Sequence, residues 1–205
     1  MATAIADERE TGVTPPTMPA PRKKRSLFKS ILLGLVAVFG VLLVVIAMQP
    51  SDFRVQRTIS MSAPASAVFE QVNDFHQWEA WSPWAKMDPN AKNTFEGPTS
   101  GTGSIFRWDG NGDVGAGSMT ILESEPSDRV RIKLDFIRPF EGTNDVNFTL
   151  KPEGDQTAVT WSMAGKNNFM TKAIGLVMDC EKMVGDQYDQ GLANLKEIVE
   201  KPATN

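Results

Sequence analysis

Three kinds of hydrophobic patterning follow one another along this chain. From Ser30 to Ser51 no residue is charged, and Ile31 to Ile46 is apolar throughout. About twenty such residues in a helix span the hydrocarbon core of a bilayer. No face of the run is polar, as one face of a core helix would be. Beyond it the period changes to two. Phe53, Val55, Ile59 and Met61 alternate with Arg54, Gln56, Thr58 and Ser60, the pattern of a half-buried strand. The chain closes on a helical period. Ile174, Val177, Val184, Tyr188, Leu192, Leu195 and Val199 predict one long helix over Thr171 to Glu200.

Between first strand and last helix the period of two recurs. Pro64 opens a short helix, Ala65 to Asn73, with Val68, Phe69 and Val72 on one face. A segment carrying Phe75, Trp78, Trp81 and Trp84 follows, and then a Gly-rich stretch around a short strand, Ser104 to Trp108. Further strands are expected at Ser118–Glu125, Val130–Phe136, Val146–Leu150 and Val159–Met163, joined by tight turns such as Glu153-Gly154-Asp155. Each strand has one apolar face. The last helix is the only element long enough to cover the curved antiparallel sheet those faces build. The expected class is therefore α+β, an antiparallel sheet around a long C-terminal helix, preceded by a membrane-spanning helix.

Charge orients the span. Arg22, Lys23, Lys24, Arg25 and Lys29 precede it, while Asp52, Arg54 and Arg57 follow as a mixed cluster. Basic residues beside a span stay cytoplasmic. The expectation is a single-pass anchor with the N-terminus cytoplasmic and the C-terminal domain extracytoplasmic. The competing reading is a cleaved secretory signal, with Val45 and Ala47 as the small residues before the cut. The long leader and the length of the run favour the anchor. The expected organisation is a disordered basic tail over 1–29, a span over 30–51 and one domain over 52–205. The tail is rich in Pro, Thr and Ala and has little to bury.

Composition narrows the chemistry. Residues 1–51 carry six Lys/Arg against three Asp/Glu, and the remainder fifteen against twenty-two, which sums to the net charge of −4. A folded part at −7 lacks the basic face that nucleic acid requires. Cys180 is alone, so no internal disulfide forms, and the one histidine, His76, lies too far along the chain to serve it as a base by proximity in sequence. Gly110-Asn-Gly-Asp-Val-Gly115 has the letters of a dinucleotide fingerprint, but a strand follows it where a helix is needed. Asp109, Asn111 and Asp113 open like a calcium loop, yet Val114 and Thr120 stand where that loop needs Gly and Glu. His76 has no second ligand nearby. No metal, cofactor or catalytic residue is therefore expected.

Several local strings resemble the START-like, or Bet v 1-like, superfamily, and within it the polyketide cyclase/dehydrase and lipid-transport (SRPBCC) family. They are Phe53-Arg-Val-Gln-Arg-Thr-Ile59, Ala63-Pro-Ala-Ser-Ala-Val-Phe69, Val72-Asn-Asp-Phe75 and Trp78-Glu-Ala-Trp-Ser-Pro-Trp-Ala-Lys86. Thr157-Ala-Val-Thr-Trp161 and Gly191-Leu-Ala-Asn-Leu-Lys196 continue the match, which runs from Phe53 to Glu200. The resemblance implies a helix-grip fold, with a curved sheet wrapped around the long helix and an apolar cavity between them. Members of the family bind lipids, polyketides, hormones or other apolar molecules. Some are enzymes and others bind protein partners. The family supplies no shared catalytic residue to carry over.

The tryptophans are the leading candidates for binding, because an indole offers a large apolar face with one N–H donor. Trp81 and Trp84 flank Pro83 and suit the rim of a pocket. Phe106 with Trp108, Ile132, and Trp161 with Val159 and Met163 point to the sheet interior, as core or as cavity wall. Tyr188 and Glu181 lie on the inward stripe of the last helix, Glu181 either as a polar contact for a ligand head or turned outward. Gly175, Gly185 and Gly191 in that helix either leave space or permit close packing. The expected site is thus Trp81, Trp84, Phe106, Trp108, Ile132, Trp161, Glu181 and Tyr188. The leading function is a membrane-anchored binding module for an apolar small molecule or lipid. The alternatives are a cyclase or dehydratase using Glu181, Tyr188 or Asp135, and a protein-interaction or envelope-stress domain without ligand.

Overall fold

A computed structural model describes residues 24–201. Residues 1–23 of the tail expected over 1–29 lie outside the described residues. The chain divides into two units, one ending at Leu43 and the other beginning at Val44.

Helix α1 is Lys24–Met48. It begins six residues earlier than the uncharged run, so Lys24 to Lys29 continue the helix and shorten the expected tail. Within it Leu27–Met48, 22 residues, is long and apolar enough to cross a membrane. At 1.5 Å per residue that stretch measures about 33 Å.

The second unit is a seven-stranded antiparallel sheet in the order β1-β7-β6-β5-β4-β3-β2. Its strands are β1 (Asp52–Met61), β2 (Lys92–Glu96), β3 (Ile105–Asp109), β4 (Ala116–Glu125), β5 (Arg129–Arg138), β6 (Gly142–Glu153) and β7 (Gln156–Lys166). First and last strands pair along their whole length, from Asp52 opposite Lys166 to Met61 opposite Thr157. One end of the sheet therefore gathers Asp52, Lys166, Gly142, Arg138 and Ala116, the end reached directly from α1.

Period-two patterning has its expected consequence. Val130, Ile132 and Leu134 of β5, with Val146, Phe148 and Leu150 of β6, are buried on the concave face. The convex face carries an ion-pair ladder in which Glu123 meets Arg129 and Arg131, and Arg131 meets Asp145. Strand β2 was not expected. All five of its residues are exposed, so it lacks the apolar alternation that marks a strand in sequence.

Helices close the concave face. α2 (Ala65–Asn73) packs over β5 and β6. A 3₁₀ turn, Phe75–Gln77, leads into the one-turn helix α3 (Trp78–Trp81), and a second, Pro83–Lys86, follows with Pro83 at its start. The single long helix expected over Thr171 to Glu200 is two helices, α4 (Phe169–Gly175) and α5 (Cys180–Val199). The division has a local cause. The Asp179 side chain accepts a hydrogen bond from the Lys182 N–H at 2.9 Å, so it caps α5 and starts a new helix. Asn168 caps α4 in the same way through the Thr171 N–H. As a result Val177, expected on the inward stripe, is 84% exposed.

α5 runs in the same direction as β1. Arg57 bonds Asp189, the Lys196 ammonium bonds the Ser60 carbonyl, and Glu200 receives the Ser62 N–H. Its buried residues are Gly185, Tyr188, Gly191, Leu192 and Leu195.

Candidate aromatic binding site

The tryptophan segment is positioned by the end of α2. The last carbonyls of a helix lack partners within it. Two indoles supply partners here. Trp78 Nε1 donates to the Val72 carbonyl at 3.1 Å and Trp81 Nε1 to the Gln71 carbonyl at 3.4 Å. Asn194 of α5 donates to the Trp81 carbonyl at 3.0 Å, tying the segment to the last helix.

These rings form the middle of an aromatic seam across the concave face. Trp108 lies 5.9 Å from Phe106, Phe106 6.1 Å from Phe75, and Phe75 5.4 Å from Trp78, centroid to centroid. Trp78 continues to Trp81 at 4.7 Å, and Trp81 to Trp161 at 5.5 Å. Trp161 is sandwiched, with Phe148 stacked at 4.8 Å and Tyr188 stacked at 3.9 Å. Trp84 meets both partners of that last stack edge-on, at 5.9 and 6.2 Å. The seam thus brings together Trp81, Trp84, Phe106, Trp108, Trp161 and Tyr188. Ile132 lies apart from it, fully buried in mid-sheet between Ile121 and Val146. Glu181 is not inside. It sits exposed in the first turn of α5, because the helix break rotates that turn away from the sheet.

The space expected to stay open between sheet and terminal helix is closed at the level of Tyr188. Trp161 and Tyr188 are each only 2% exposed, and their rings fill it. The glycines of α5 permit close packing. A Cβ at Gly191 would lie 2.9 Å from Trp161, and one at Gly185 would run into the Arg57 guanidinium. Two surface depressions form elsewhere. One of about 260 Å³ is lined by Phe69, Glu70, Asn73, Asp74, Gln77 and Ser100. The other, about 390 Å³, lies around Lys92, Arg107, Trp108, Ala116, Ile137 and Arg138.

Packing is uneven along the concave face. At the end of the sheet opposite Asp52, Met61, Val130 and Leu150 are at most 1% exposed. Toward the Asp52 end, Phe53, Trp108, Met119, Phe136 and Val184 are only half-buried against the core, as Ile59, Ile198 and Val199 are at the other end. Toward the Asp52 end apolar side chains therefore remain partly open, with the Trp161–Tyr188 stack as the inner wall.

Polar chemistry in the groove is sparse. Trp161 Nε1 is buried without a hydrogen-bond partner. Burial pushes the Tyr188 hydroxyl above its ordinary pKa, so it stays neutral. Arg57 occupies the apolar parity of β1 between Val55 and Ile59 and bonds Asp189 at 2.9 Å. That parity break was visible in the sequence and is the one signal the strand pattern passed over. Asp135, a candidate acid, is on the convex face. Burial alone would raise its pKa, but bonds from Lys133 and Thr143 hold it below the ordinary carboxylate value. Among the described residues no group of three or more His, Cys, Asp or Glu is arranged to hold a metal ion.

Residues 52–200 match the family model described as polyketide cyclase / dehydrase and lipid transport. Solved structures share the fold. A protein of Chromobacterium violaceum is 18% identical, covering 75% of this chain and 100% of its own, with a TM-score of 0.53. The Aha1 dimer from Colwellia psychrerythraea is 17% identical over 72% and 96% of the two chains, with a TM-score of 0.53. The major latex-like protein 151 of Panax ginseng is 14% identical over 74% and 100%, with a TM-score of 0.54. No curated protein matches the sequence.

Proposed function

This chain belongs to the polyketide cyclase/dehydrase and lipid-transport family, and we propose that it is a membrane-tethered module that binds an apolar small molecule or lipid. The guest lies in the Asp52-end half of the concave groove, over Phe53, Met119, Phe136 and Val184. Trp108 stands at its rim and the Trp161–Tyr188 stack at its inner wall. The carrying observation is a set of half-buried apolar side chains beside an aromatic wall. Phe53, Met119, Phe136 and Val184 are half-buried at the Asp52 end, next to the Trp161–Tyr188 stack. A groove with an aromatic wall and few polar groups suits an apolar guest. The unpartnered Trp161 indole N–H is buried, so it becomes a donor for a hydroxyl or carbonyl only of a guest that displaces the stack. In this reading Leu27–Met48 is the anchor, the basic residues before it stay cytoplasmic, and the domain after it is extracytoplasmic.

The test uses the full chain in detergent. An apolar fluorescent probe should bind saturably, be displaced by a long-chain fatty acid, and be lost in Phe136→Arg at unchanged melting temperature. Organic extraction followed by mass spectrometry should recover a bound guest from wild type and less from the variant. Equal recovery and equal probe binding in the two proteins would assign the lipid to α1 alone and end the groove reading.

A further inference from the structure

The Asp52 end of the domain is itself apolar on its outside. Leu176, Val177 and Met178, between α4 and α5, are exposed, as are Phe169 and Met170 at the start of α4. Ile137, near the end of β5, and Phe140, in the β5–β6 connection, are exposed as well. The two groups belong to one surface, because Asn168 Nδ2 donates to the Glu141 carbonyl at 3.4 Å, beside Phe169 and Phe140. The Asn167 N–H donates to the Ser51 carbonyl at 2.6 Å, which places the same surface at the point where the chain arrives from α1.

The axial position of Val177 follows from chain geometry. α5 and β1 run in the same direction, joined at Arg57–Asp189 and at Ser60–Lys196. With 1.5 Å per helix residue and about 3.3 Å per strand residue, the residues just before α5 fall about level with Asp52. The opposite end differs. The turns around Asp128 and Gly154 expose Glu125, Asp128, Glu153 and Asp155 and no large apolar side chain.

We propose that this apolar collar docks on the lipid surface, so that the domain lies against the bilayer instead of projecting from it. The proposal rests on the anchored reading of α1. Only Gln49–Ser51 separate α1 from β1. Three extended residues reach about 10 Å. Apolar side chains of interfacial segments sink about 5–10 Å into the boundary of headgroups and acyl chains, so the collar is within range of that layer. Charges around it are mixed, with Lys166 and Lys172 against Glu141 and Asp179. Docking is therefore apolar and independent of anionic lipid.

The full chain reconstituted into phosphatidylcholine vesicles tests this. With Cys180→Ser removing the only native thiol, an environment-sensitive fluorophore is placed in turn at Val177→Cys, at Asp155→Cys on the far turn and at Phe39→Cys within α1. The account expects position 177 to be quenched by lipid carrying a spin label just below the headgroup, at least twofold more than 155, and unchanged when anionic lipid is added. Quenching at 39 but not at 177 overturns docking and leaves the anchor standing. Absence of quenching at 39 by lipid spin-labelled near the end of its acyl chain overturns the anchor and docking with it. A fluorophore at 177 that is shielded from water yet untouched by spin-labelled lipid means a protein surface covers the collar, which also overturns the proposal.

Discussion

Tyr188 of α5 lies flat on Trp161 of β7, with ring centroids 3.9 Å apart and planes within 10° of parallel. This contact joins the terminal helix to the sheet and closes the gap between them. Gly191, one turn further along α5, lets the helix approach that closely. The stack is the inner limit of the groove. Whatever binds must stop at it or displace it.

Removing the ring should therefore cost stability, while removing the hydroxyl should not. Tyr188→Ala should lose about 3 kcal/mol, the scale of an aromatic truncation in a packed core. Tyr188→Phe should stay within about 1 kcal/mol of wild type. Urea unfolding of the three proteins checks both numbers.

The same tyrosine predicts a pH dependence. Burial raises its folded pKa, so the unfolded chain releases the proton first as pH rises. Its contribution to stability is full below the unfolded value of about 10 and is lost progressively as pH climbs from there toward the folded value. Wild type should lose stability faster than Tyr188→Phe above about pH 10. Because Tyr188 is the sole tyrosine, phenolate absorbance reports it directly and should appear together with unfolding. A phenolate that titrates near 10 in the folded protein would refute the burial.

Two glycines of α5 should respond differently to alanine, although each substitution gains about 1 kcal/mol in helix propensity. At Gly191 the new methyl meets Trp161 at 2.9 Å and Pro83 at 3.2 Å, neither of which has room to move. Gly191→Ala should lose about 1–3 kcal/mol. At Gly185 it meets the far end of Arg57, a flexible side chain whose partner Asp189 is largely exposed. Gly185→Ala should be near neutral by thermal melting.

Much of this was legible in the sequence. Strand phase was readable where one face is dry and the other wet, as along β1 and the buried stretches of β5 and β6. Strand β2 was not, because Lys92 to Glu96 are exposed on both faces. The seam was readable in type but not in state. Trp161 is inward by parity, yet parity does not reveal that Tyr188 stacks on it and fills the space. The break in the last helix was missed because Ile174 and Val177 keep helical spacing with Val184. The cap that decides the matter is one carboxylate, Asp179, whose letter does not announce its hydrogen bond. Removing it tests the point. Asp179→Ala should cost about 1 kcal/mol, with faster amide exchange confined to the first turn of α5.

The central claim is that the half-buried end of the groove holds an apolar guest. The five tryptophans all belong to the folded domain, and Trp108 stands half-buried at the groove rim. The most direct measurement is quenching of tryptophan emission in the full chain by a brominated fatty acid. The account predicts saturable quenching at one equivalent per chain, reduced by at least half in Trp108→Phe and abolished in Phe136→Arg. Quenching that rises without saturation, or that is the same in Phe136→Arg as in wild type, would contradict it.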